Sequence, residues 1–135
     1  MVRGIITSAL ITTGSYIFLS IISIIVGFVF AGFYLFADVH FVLGTVIGVI
    51  FTLNNREKNQ GILKSGAFAG VLGGILSAFL ISFYQLILIA ILIVPDITVF
   101  FLYLGLSLIS GIAIGLIVGA LISTYYTYRE MKQDP

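Results

Sequence analysis

Asn54-Asn55-Arg56-Glu57-Lys58-Asn59-Gln60-Gly61 is a polar island in an apolar chain. Upstream of it residues 41–53 carry no charge, and downstream none occurs between Lys64 and Asp96. The downstream run exceeds the roughly 20 apolar residues that a helix needs to cross about 30 Å of hydrocarbon. The island therefore reads as a loop between two membrane helices. Its basic residues, Arg56 and Lys58, suggest the side on which it lies, because basic loops stay cytoplasmic.

Moving outward, Pro95-Asp96 makes the next break, since proline and the residue before it both resist helix continuation. A further apolar run starts at Ile97, reaches about Tyr126 and gives way to Arg129-Glu130-Met131-Lys132-Gln133-Asp134-Pro135. On the other flank, Ala37-Asp38-Val39-His40 interrupts an apolar run that begins at Gly4. This segmentation predicts an all-α membrane protein: one transmembrane domain over residues 1–135, a glycine-rich bundle of helices near 4–36, 40–54, 62–94 and 97–127, the second of them short. Asp38 is a natural N-cap for that second helix, which leaves Asp38 and His40 as solvated groups at an outer tip. A competing division turns the chain at residues 27–32, makes residues 33–53 a full second helix and buries both. The first division is preferred because Phe28-Val29-Phe30-Ala31 is a poor loop. The apolar run after Arg3 has no clear end, unlike the roughly 7–15-residue apolar region of a signal peptide, and is read as a retained helix.

Composition agrees. With 61% of residues hydrophobic and 8% charged, too few polar side chains remain to cover a water-facing surface, for which soluble domains use about a quarter charged residues. Lipid is the expected solvent and the bilayer the expected partner. The absence of cysteine excludes disulfides, iron–sulfur clusters and thiolate metal sites. Without tryptophan, interfacial anchoring falls to tyrosine and phenylalanine. A net charge of +1 gives no reason to expect nucleic acid. In a four-span arrangement Arg3, Arg56, Lys58, Lys64, Arg129 and Lys132 all fall on one side, and Asp38, His40 and Asp96 on the other. The expected location is the plasma membrane, with both termini cytoplasmic.

Small residues recur every four positions. The third predicted helix carries Gly66, Gly70, Gly74, Ala78 and Ser82; the fourth carries Ser107, Gly111, Gly115, Gly119 and Ser123. The second has Gly44 and Gly48, the first Ser23, Gly27 and Ala31. Residues so spaced share a helix face, and small side chains let membrane helices approach closely. The stripes are expected to pack the bundle, and one of them could also serve a second subunit. A faint echo relates Leu43-Gly44-Thr45-Val46-Ile47-Gly48 to Ile114-Gly115-Leu116-Ile117-Val118-Gly119, each followed by a charged segment, as in transporters built from repeats.

Little chemistry is visible. Proton-coupled exporters need a titratable group at depth, and residues 4–36 contain none of the carboxylates that small multidrug exporters use there. Polar residues at depth are Thr12, Thr13, Ser15, Ser20, Ser23, Tyr84, Gln85 and Ser110. Hydroxyls usually bond their own helix backbone. Gln85 has four hydrogen-bonding positions and needs a partner across helices, with Tyr103 or a serine as candidates. Tyr84, Gln85, Tyr103 and Ser107 could line a polar cavity. Asp38, His40 and Asp96 are weak candidates for a metal site, being three donors spread over two outer loops. No nucleotide loop, hydrolase triad or catalytic carboxylate pair can be assembled, so neither cofactor nor enzymatic activity is expected.

Residues 43–48, the polar loop, and Gly61-Ile62-Leu63-Lys64-Ser65-Gly66-Ala67-Phe68-Ala69-Gly70-Val71-Leu72-Gly73-Gly74 resemble a family of small archaeal four-helix membrane proteins known only as a domain of unknown function. The resemblance covers nearly the whole chain and implies an archaeal plasma membrane, with no activity or catalytic residue to carry over. The expected function is non-enzymatic, acting through helix association as a homo-oligomer or as an accessory subunit of a membrane complex. The alternative is a small transporter or channel for a neutral or apolar solute.

Overall fold

The computed structural model describes residues 1–26, 38–92 and 97–133. Among these residues lie four helices: α1 (Val2–Val26), α2 (Val39–Asn54), α3 (Ile62–Leu92) and α4 (Ile97–Gln133). Helices α1, α3 and α4 are long and apolar enough to cross a membrane, while α2, at 16 residues, is short. At about 1.5 Å per residue, α2 covers about 24 Å. The predicted ends of the first helix at Phe36 and of the third at residue 94 lie outside the described residues. The fourth helix runs past its predicted end at residue 127, because Tyr128-Arg129-Glu130-Met131-Lys132 contains no helix breaker and is rich in straight-chain helix formers.

Close contacts set the topology. Gly4 meets Thr52 and Gly48, and Thr12 meets Gly44, so α1 and α2 are antiparallel. Gly66, Gly70 and Gly74 meet Gly119, Gly115 and Gly111 in turn, so α3 and α4 are antiparallel. Ser8 lies on Gly73 and Ser20 is bonded by Tyr84, which makes α1 parallel to α3. Phe41 touches Gly111 and Asn54 meets Tyr126, which makes α2 parallel to α4. Helices α2 and α3 each touch all three others, whereas α1 and α4 are diagonal and do not meet among the described residues.

The sorting of side chains is inverted relative to a water-soluble bundle. Ser8, Thr12, Ser20, His40, Thr45, Thr52, Ser65, Ser77, Ser82 and Ser123 are buried, and Leu10, Phe18, Ile24, Ile87, Ile109 and Leu121 are exposed. Two apolar clusters interrupt the polar interior. One holds Tyr16, Phe41 and Ile81; the other, nearer the loop, holds Val49, Leu53 and Ala69 with Ile5, Ile62 and Ile122 against them. At the loop end Arg56 and Glu130 form an ion pair, the Tyr126 hydroxyl donates to Asn54 Oδ1 at 2.8 Å, and Arg56 Nη1 donates to the Gln60 carbonyl at 3.0 Å. Together with the contact of Gly4 on Thr52, these bonds bring the start of α1, the polar loop and the end of α4 to one end of the bundle.

Candidate functional site

The interior face of α1 is built from Gly4, Ser8, Thr12, Tyr16 and Ser20, all buried and all four residues apart. That spacing stacks them on one side of the helix. Gly44 and Gly48 of α2 and Gly73 of α3 let the small hydroxyls seat directly against helix backbone. Above them the larger Tyr16 fills the space between α2 and α3.

Tyr16 is the hub. Its ring stands edge-on to His40, with centroids 4.9 Å apart, and edge-on to Tyr84 at 6.1 Å. The Gln85 amide donates to its hydroxyl, and the Tyr84 hydroxyl donates to Ser20 Oγ at 3.3 Å. Phe41 closes the other side of His40, with ring centroids 4.7 Å apart. Gln85 thus finds its partner on α1 rather than in the expected Tyr103, which is 37% exposed and only electrostatically close to Tyr16. Of the sequence-derived cavity candidates, Tyr84 and Gln85 face this hub.

His40 and Asp38 differ most from their expected surroundings. His40 is 2% exposed, not solvated at a tip. Asp38 does occupy the N-cap position of α2, but its side chain makes no cap bond. Its carboxylate instead accepts the Ser110 hydroxyl of α4. Its backbone takes a left-handed conformation (φ 54°), which aspartate tolerates better than most residues, and its carbonyl accepts Phe41 N–H at 3.0 Å. The reason is tertiary: α2 is wedged between α1, α3 and α4, so its first turn sits inside the bundle. Ser110 lies 13 residues along α4 from Ile97, about 20 Å at 1.5 Å per residue, which places the contact well away from either helix end. Asp96, the third metal candidate, lies outside the described residues. Among the described residues no three His, Asp or Glu groups come together.

A second property concerns hydroxyls. Thr52, Ser77, Ser82 and Ser123 donate to the carbonyl four residues back, at 2.6–2.9 Å. Among the described residues Ser8, Thr12, Thr13, Ser23 and Thr45 have no hydrogen-bond partner, nor does His40 Nδ1. All but two of these six groups belong to α1, and together they extend from Ser8 to Ser23, about 22 Å along the helix against about 30 Å of hydrocarbon. Ser8 and Tyr16 are not among the residues singled out from sequence; the four-residue spacing from Gly4 to Ser20 is the signal that marks them.

No protein-family model, curated protein or solved structure matches this chain. The site's reading rests on its own geometry. It offers an acid, an imidazole, two phenols and an amide in mutual contact or one residue apart, enclosed by a bundle with an apolar exterior. Such a set can bind a small hydrogen-bonding solute and can carry a proton.

Proposed function

We propose that this chain is a multi-pass membrane protein that works as a small transporter or channel for a small neutral solute, without enzymatic activity. The observation that carries the proposal is the burial of His40 against Tyr16, which Tyr84 and Gln85 also contact, with the half-buried Asp38 two residues away on the same helix. Ionisable groups at membrane depth are expensive and mark solute or ion paths. The apolar exterior supports immersion in lipid. Both termini and the 54–61 loop are placed in the cytoplasm, on the strength of the six basic residues at one end. An archaeal plasma membrane is the proposed setting, from the resemblance alone.

Association with a second copy, or with a larger complex, is the other reading, and its motive was the small-residue stripes. Gly66, Gly70 and Gly74 are occupied by Gly119, Gly115 and Gly111 of the same chain, so assembly would need another surface. Solute movement is therefore preferred. The test is osmotic swelling of proteoliposomes in glycerol or urea, followed by light scattering. The wild-type protein is expected to speed swelling over protein-free vesicles, and Gln85→Leu to lower that rate severalfold by removing the amide that fixes Tyr16. Wild-type swelling equal to that of empty vesicles for both solutes would remove the proposal.

A further inference from the structure

The unpartnered groups nearest the bundle centre are Ser8 and Thr12 on α1 and Thr45 and His40 Nδ1 on α2, in residues only 1%, 1%, 1% and 2% exposed. Buried hydroxyls elsewhere in the bundle satisfy themselves on their own backbone, as Ser77 does on Gly73 and Ser123 on Gly119. These do not, although the same carbonyl four residues back is within the reach of any helical serine or threonine. Two such groups on α1 that pack on Gly44 and Gly48 of α2, and two more on α2 one and four positions from Gly44, are each costly to leave unpaired and call for an external partner. Their spacing fits one. Ser8 and Thr12 are one turn apart, about 6 Å along the axis, which is about the length of two hydrogen bonds through a single water. Thr12 lies on Gly44, one turn of α2 from His40, so the next step reaches the imidazole.

We propose that Ser8, Thr12 and Thr45 hold a file of water that carries protons between the charged end of the bundle and His40, and that this proton movement drives the solute step at the same site. Hydronium at the Ser8 end passes its proton along the file and is left as water. Neutral His40 accepts the proton on Nδ1 and becomes imidazolium. Loss of the Nε2 proton from the opposite edge of the ring returns it to neutral, one proton having crossed, and a ring flip restores the first tautomer. Of the titratable groups on the four helices, Tyr16 from α1 stands against the ring, Tyr84 from α3 and Tyr103 from α4 lie toward Tyr16, and Asp38 is two positions earlier on α2.

The drive on the solute rests on the transporter reading, whereas the water file stands separately, so both are read on one vesicle preparation. The full chain is reconstituted with an internal pH dye, and proton uptake is driven by a valinomycin-set potassium potential. Wild-type uptake is expected to exceed that of empty vesicles by about ten-fold or more, as a protein path through hydrocarbon requires. Thr12→Val and His40→Gln should each bring it close to the empty-vesicle rate, and Thr12→Ser should restore most of it. Wild-type uptake no faster than that of empty vesicles overturns the file whether or not any variant folds. So does uptake unchanged in both Thr12→Val and His40→Gln. Glycerol swelling without proton uptake would keep the transporter and remove the file; proton uptake without swelling would do the reverse.

Discussion

Helices α3 and α4 meet backbone on backbone. A Cβ added at Gly111 would lie 2.6 Å from the Gly74 carbonyl oxygen, and one at Gly119 would lie 2.7 Å from that of Gly66, both inside the 3.0 Å that real Cβ atoms keep. Helices α1 and α2 also bring backbone within reach, a Cβ at Gly44 lying 2.6 Å from the Ser8 carbonyl oxygen and one at Gly48 2.7 Å from that of Gly4, but at all three of their contacts a side chain lies nearer still: Thr12 Oγ1 at Gly44, Ser8 Cβ at Gly48 and Thr52 Oγ1 at Gly4. The flanking hydroxyls differ to match. Ser77, Ser82 and Ser123 on α3 and α4 bond their own carbonyls, while Ser8, Thr12 and Thr45 on α1 and α2 are left open. One hairpin has used its small residues to become rigid and self-sufficient, and the other has kept hydrogen-bonding capacity in hand.

Substitutions can break that contrast. The largest effect is expected at Gly115→Leu, where the new side chain meets the Gly70 carbonyl group and the Val71 backbone nitrogen, which cannot move aside without separating the helices. Overpacking of a fixed core costs about 3 kcal/mol at its upper range, and a loss of at least that size should appear in denaturant titrations in mixed micelles. Gly44→Ala should cost less, about 1–2 kcal/mol, because it adds a single methyl whose nearest obstacle is the Thr12 side chain, with the Ser8 carbonyl oxygen behind it at 2.6 Å. Adding Thr12→Ala to Gly44→Ala should recover part of the loss, whereas two substitutions without contact would simply add. If Gly44→Ala proves as damaging as Gly115→Leu and is not rescued, the distinction between the hairpins fails. The smallest effect is expected at the charged end. Glu130→Gln removes the partner of Arg56, but the Glu130 side chain is 55% exposed, so the change should stay within about 0.5 kcal/mol and shrink with added salt.

Much of the frame is legible in the sequence. The loop at 54–61, the helix start at Ile62, the short second helix and a last helix from Ile97 all follow from charge, proline and apolar length. The four-residue recurrence of Gly66, Gly70 and Gly74 and of Gly111, Gly115 and Gly119 is equally plain, although only the fold shows that each stripe covers the other. The site is harder to see. Asp38 and His40 look like a polar interruption because local pattern records what a residue is, not which helices close around it; the burial of His40 is produced by the insertion of α2 among its three neighbours. Tyr16 escapes notice because one tyrosine in an apolar run is unremarked until Gln85, 69 positions later, is found bonded to it. Ser8 and Thr12 are hidden by a sound generalisation, that helical hydroxyls satisfy themselves, to which they are exceptions.

The polar face of α1 also bears on how the protein is made. A chain entering the membrane from its N-terminus delivers Ser8, Thr12, Tyr16 and Ser20 to lipid before α3 exists, yet Gly73, Tyr84 and Gln85, against which that face settles, all lie on α3. Membrane helices insert first and associate afterwards. Helix α1 is thus the earliest to arrive and among the last to be accommodated, and α2, whose glycines cover Ser8 and Thr12 at once, is its first escort during synthesis.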